Sequence, residues 1–134
     1  MKFFDLFKNE KGQATVEFAL ILPILLLVVC GIIDFGWFFS KKIQLQSASY
    51  TGARYAIVSN NDAISQEVVF SQIRAALPGT SPSTLGIQLS YSSGLTGNVT
   101  VTLTESVEAL TPITQIFTNQ NIIIKASATM KMSY

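Results

Sequence analysis

A chain of 134 residues with net charge +1 and 49% hydrophobic residues allows a membrane anchor and one small domain, without room for a large second core. Its nine basic residues are scattered without forming a stripe, which excludes the electrostatic footprint of a nucleic-acid binder. There is no histidine, the single Cys30 sits in an apolar run and can form no intramolecular disulfide, and no glycine-rich phosphate loop follows a strand; the chain therefore reads as non-enzymatic, with no cofactor, metal or small-molecule substrate.

The chain opens on a leader containing Lys2, Lys8 and Lys11, followed by Gly12-Gln13-Ala-Thr-Val-Glu17-Phe18. From Phe18 to Ile33 no residue is charged, and the apolar run continues through Asp34 to Phe39. Those 22 residues exceed the roughly 20 that a helix needs to cross a hydrocarbon core. A carboxylate such as Glu17 at the head of such a span costs up to about 2.5–3.5 kcal/mol at mid-bilayer, less near the interface, so its presence calls for a reason. Three readings compete. A cleaved signal peptide would have an apolar stretch of only about 7–15 residues and a small-residue cut after it. A plain signal anchor accounts for the length and the flanking lysines but leaves Gly12 and Glu17 unexplained. A prepilin-type leader would be cut at Gly12 on the cytoplasmic side, retaining the hydrophobic segment. Basic residues are almost evenly divided across the span, with Lys41, Lys42 and Arg54 on its far side, so the positive-inside rule does not fix orientation.

Within the span, Pro23 removes one backbone donor, a defect membrane helices tolerate. Trp37, among Phe35, Phe38 and Phe39, is expected to anchor at the far interface, with Lys41 and Lys42 marking the exit to water. Asp34, about 24 Å along the axis from Phe18, is expected to snorkel to water near the headgroups. The helical pattern then persists over about 41–58, where Leu45, Ala48, Ser49, Gly52, Ala53 and Ala56 recur at three- and four-residue intervals as a face of mostly small side chains.

Ser59-Asn-Asn-Asp62 breaks this helix and offers caps for a second one over about 63–77, with Ile64, Val68, Ile73 and Leu77 on its buried side and Pro78-Gly79 ending it. After a Ser/Thr/Pro/Gly-rich loop the period becomes two, giving strands over about 86–92, 98–107 and 121–132, the first two joined by a hairpin loop. Pro112 bars a central strand, so the segment after Glu105 reads as a crossing connection with a brief helix. Glu105 and Glu108, the close acidic pair there, read as solvated and make a poor glycosidase or metal constellation. The sum is an α+β chain: a long N-terminal helix, first transmembrane and then projecting, a second helix and a small antiparallel sheet of about three strands.

The runs Ala14-Thr-Val-Glu-Phe-Ala-Leu-Ile-Leu-Pro23, Gly31-Ile-Ile-Asp-Phe-Gly36 and Gln46-Ser-Ala-Ser-Tyr-Thr-Gly-Ala-Arg54-Tyr-Ala56 resemble the TadE-like family of pilin-like proteins in the tight-adherence (Tad, or Flp) system. Leu110-Thr-Pro112 and Ile122 to Met130 resemble that family's C-terminal segment more loosely. The resemblance implies a pilin-like division of the chain: a leader over 1–12, a transmembrane helix over 13–40 and an extracytoplasmic domain over 41–134. It further implies recognition by a prepilin peptidase at Gly12, Gln13, Glu17 and Phe18, and a charge pair in the assembled state between Glu17 and the new α-amino group of a neighbouring subunit. The implied setting is the inner membrane with a cytoplasmic N-terminus, other Tad pilins and the assembly platform as partners, and a part in surface adhesion, biofilm formation and related secretion. A sheet-bearing domain of about ninety residues sets the chain apart from the short, helical major pilin of such systems and favours a minor-subunit role. The rival reading is an unprocessed single-pass protein whose outer domain binds an envelope partner.

Overall fold

The computed structural model describes residues 10–58, 63–92, 97–117 and 121–131. Residues 1–9 of the expected 1–12 leader, the Ser59–Asp62 break, the hairpin residues 93–96 and the Ile64 side chain lie outside the described residues. One continuous helix, α1 (Glu10–Val58, 49 residues), runs through Pro23 and is about 73 Å long. Gly12 falls in its first turn. Helix α2 (Ala63–Ala75), strands β1 (Leu85–Ser92) and β2 (Asn98–Val107), the short helix α3 (Pro112–Phe117) and strand β3 (Ile122–Lys131) follow. The strands form an antiparallel sheet in the order β1-β2-β3. This is the α+β, pilin-like architecture expected: a long helix with a three-stranded sheet and a second helix packed on its C-terminal half.

Alternation decides which sheet face meets the helix. In β2, Val99, Val101 and Leu103 are fully buried, and in β3 Ile124, Ala126 and Ala128 are buried beside them, each facing its cross-strand partner or that partner's neighbour on the inner face. The burial of each large apolar side chain is worth about 1.5–3 kcal/mol. On α1, Leu45, Ala48, Ser49, Ala53 and Ala56 are buried as the small-residue face required. Ser49 is satisfied within its own helix, its hydroxyl donating to the Gln46 carbonyl at 2.8 Å.

Val69 and Ile73 on α2 and Leu77 just past its end are buried, whereas Val68, expected inside, is half exposed. Positions 69, 73 and 77 repeat every four residues on one ridge, and Val68 lies about 100° off it. The helix also ends two residues short of Leu77, because a residue preceding proline is pushed out of the α region. A turn closes from the Thr80 amide to the Leu77 carbonyl at 3.3 Å. Pro78 is its second residue and Gly79, with φ of 91°, its third, the sequence a type II turn demands.

Close approach explains Gly52. A Cβ there would lie 2.7 and 2.8 Å from Ile73 Cδ1 and Cγ1 and 3.3 Å from Val101 Cγ1. Gly52→Ala gains up to about 1 kcal/mol of helix propensity but overpacks a fully buried site, a cost of about 1–3 kcal/mol, so a net loss of thermal stability is expected. Ile73→Ala removes both interfering carbons. The double variant should therefore be more stable than the sum of the two single effects, and strict additivity in thermal unfolding would refute the contact.

Candidate functional site

Two regions of α1 carry the residues singled out by the sequence. In the N-terminal region, Gly12 is half-buried while Gln13, Glu17 and Phe18 are exposed. The apolar window here has a mean hydropathy of 2.8, none of it covered by the rest of the protein. Leu20, Ile24 and Ile32 are each about two-thirds exposed or more. The helix is thus long and apolar enough to cross a membrane, and the folded domain leaves this part of it bare.

The second region is the junction where the domain takes hold of the helix. The buried stripe of α1 runs from Ala56 through Leu45 and Lys41 to Asp34, at helical spacing, with Trp37 and Phe38 half-buried along it. Asp34 is only 2% exposed. It does not snorkel to water, because its carboxylate accepts hydrogen bonds from the Leu110 and Thr111 amides, each at 3.0 Å, and from the Thr111 hydroxyl. The segment leading into α3 is thereby tied to the helix.

Two turns further along, Lys41 is 8% exposed and pairs with Glu105 at 3.1 Å, so neither is open to solvent as expected. Thr80 donates to the same Glu105 oxygen at 3.1 Å and lies 3.5 Å from Lys41 Nζ. The Pro78-Gly79 turn is what presents Thr80 there. The Lys41 ammonium also lies 5.3 Å from the centroid of the Trp37 ring, within cation–π range. Glu105 Oε2 is buried without a hydrogen-bond partner among the described residues. Lys42, by contrast, is exposed and donates to the Lys125 carbonyl, while Glu108 is exposed as expected. An open hollow of about 540 Å³ lies beside the pair, lined in part by Trp37, Lys41, Glu105, Leu110 and Gln115.

Asp34 and the Lys41–Glu105 pair were missed as structural contacts, although both carry a sequence signal. Positions 34, 38, 41, 45, 48 and 52 form one helical stripe, and 99, 101, 103, 105 and 107 share one strand face. Extending either pattern past the apolar residues puts a charge inside. Among the described residues, no three His, Cys, Asp or Glu side chains gather as a metal site. The arrangement fixes a domain on a helix and presents a bare apolar helix end.

Compared with known proteins, residues 12–54 match the family model described as "TadE-like protein". The match begins at Gly12 and covers both the bare part of α1 and the part the domain grips, about a third of the chain. No curated protein and no solved structure matches the chain.

Proposed function

We propose that this chain, whose residues 12–54 are those of a TadE-like protein, is a minor pilin or pseudopilin acting in the assembly or initiation of a Tad (Flp) pilus. The observation that carries the reading is the family match starting at Gly12 on a helix whose apolar first half nothing in the domain covers. On this reading α1 is held in the inner membrane, a prepilin peptidase cuts after Gly12 on the cytoplasmic side, and Gln13 becomes the N-terminus. The domain then lies outside the cytoplasm, Trp37 marks the far interface with Lys42 just beyond it, and the chain's role is structural. Lys41 is occupied by Glu105 and serves that interface less than its position suggests.

Glu17 is exposed on the isolated chain and is free to meet a second subunit. Paired with a neighbour's α-amino group, it would offset its own desolvation in a low dielectric, where loss of one partner is strongly destabilising. The partners are other Tad pilins and the assembly platform, and the outcome is a contribution to adhesion, biofilm formation and related secretion.

The mass of the N-terminus in protein extracted from membranes tests the processing step. A chain beginning at Gln13 is expected, and a bulky residue at position 12 should block the cut. Intact Met1 in cells that express the peptidase would favour the unprocessed single-pass reading. Glu17→Ala should remain in the membrane and fail to enter the pilus machinery; normal piliation in that variant would refute the assembly role of the carboxylate.

A further inference from the structure

We propose that the segment 110–117 is a second membrane contact, an apolar foot that rests at the headgroup–acyl boundary of the same bilayer that α1 crosses. The inference rests on the anchoring proposed above. With Glu17 at one edge of the hydrocarbon, a core of about 30 Å takes up about 20 helical residues. Its other edge then falls near residue 37, beyond Asp34. A tilt of about 20° moves that edge further along the helix. Yet Asp34 holds the Leu110 and Thr111 amides directly, so the chain leading into α3 is tied to α1 a few ångströms on the hydrocarbon side of that edge.

The chemistry of the segment suits that depth. Its outward side chains include Leu110, 55% exposed, and Ile116, 75% exposed, and no residue from Ala109 to Phe117 is charged. On α1, Phe35 and Phe39 are exposed and stacked on each other at the same level along the helix axis as Asp34 to within about five residues. The backbone at the segment's entry is also paired, which lowers the cost of leaving water. Asp34 takes the amides of residues 110 and 111, Pro112 has none to offer, the Gln115 amide bonds the Thr111 carbonyl at 3.3 Å, and Gln115 Nε2 donates to the Ala109 carbonyl at 2.8 Å. Exposed apolar side chains on a segment whose entry is held by hydrogen bonds suit an interfacial element, whose remaining polar groups still reach headgroup water. The depth at which Asp34 holds residues 110 and 111 assigns the patch to the bilayer in preference to a protein partner.

Full-length protein carrying Cys30→Ser, reconstituted in phosphatidylcholine nanodiscs, provides the test. A bimane label is placed at Ile24→Cys, Ile116→Cys or Ser90→Cys, the last exposed on β1 towards the end opposite Leu85. The label at 116 should lose most of its emission to lipid nitroxides near the headgroup and resist iodide. The label at 90 should do the reverse, and the label at 24 should respond to nitroxides deep in the acyl chains. Leu110→Cys should repeat the result at 116. If 116 follows 90 while 24 remains lipid-buried, the foot is overturned and the anchor stands. If 24 is open to iodide, the anchor falls and the foot with it. If the label at 116 is shielded from both quenchers and unlabelled Ile116→Cys is oxidised by copper phenanthroline to a disulfide-linked dimer, the patch belongs to a second copy of the chain and the proposal is overturned.

Discussion

Glu105→Leu alone is expected to destabilise the domain by about 3–5 kcal/mol, because it leaves the Lys41 ammonium 8% exposed without its counter-charge. For a domain of this size a loss of that magnitude lowers the unfolding temperature by about 12–40 °C, from a total stability of only about 5–15 kcal/mol. Lys41→Met should cost a similar amount for the mirror-image reason, with Glu105 then stranded and its Oε2 already without a hydrogen-bond partner among the described residues. Combining the two changes should restore stability to near the starting value or above, since an apolar pair of similar volume carries no desolvation cost. Glu105→Gln should fall between, keeping acceptor geometry for Thr80 while losing the charge. Thermal unfolding of the detergent-solubilised chain, followed by circular dichroism, reads the cycle. Single variants that each cost less than about 1 kcal/mol would show the pair to behave as a solvent-screened surface bridge.

The buried pair and the Asp34 contact also show where sequence reasoning stopped. Helix, strands and the small-residue face were legible because period and burial coincide wherever the pattern is apolar: Leu45, Ala48, Gly52 and Ala56 on the helix, Val99, Val101 and Leu103 on the strand. Glu105 continues the strand pattern and Asp34 and Lys41 the helix pattern, but a charge at an inward position is affordable only with a partner. The partner in each case lies 64 or more residues away. Local spacing cannot supply that information. Val68 and Val69 fail differently, since two adjacent valines satisfy a helical pattern almost equally and only the direction of the ridge holding Ile73 and Leu77 selects between them. At Gly12 and Glu17 the reverse holds. They stand out in sequence as a motif heading an apolar helix, while the folded chain leaves the carboxylate exposed and places nothing of the domain on the helix around it.

Asp34→Ala is expected to release the segment entering α3 while leaving the sheet intact. The substitution removes the acceptor of the Leu110 and Thr111 amides and of the Thr111 hydroxyl. Hydrogen bonds to a charged group are worth about 1.5–3 kcal/mol each, and the amides can recover part of this by turning to water, so a net loss of about 3 kcal/mol is expected. That loss is local, because α3 meets α1 at this junction whereas the core around Leu45, Ile73 and Val101 lies further along the helix. Hydrogen exchange of the protein in nanodiscs should accordingly speed up at residues 110, 111 and 115, with protection in β2 and β3 unchanged. Asp34→Asn retains one carbonyl acceptor and should preserve part of the protection; equal exchange in the alanine, asparagine and parent chains would show that the carboxylate does not hold the segment. Faster exchange throughout the sheet would instead make Asp34 part of the global fold. Confinement of the effect to residues near α3 is the signature of a tether between the end of the apolar helix and the domain it carries.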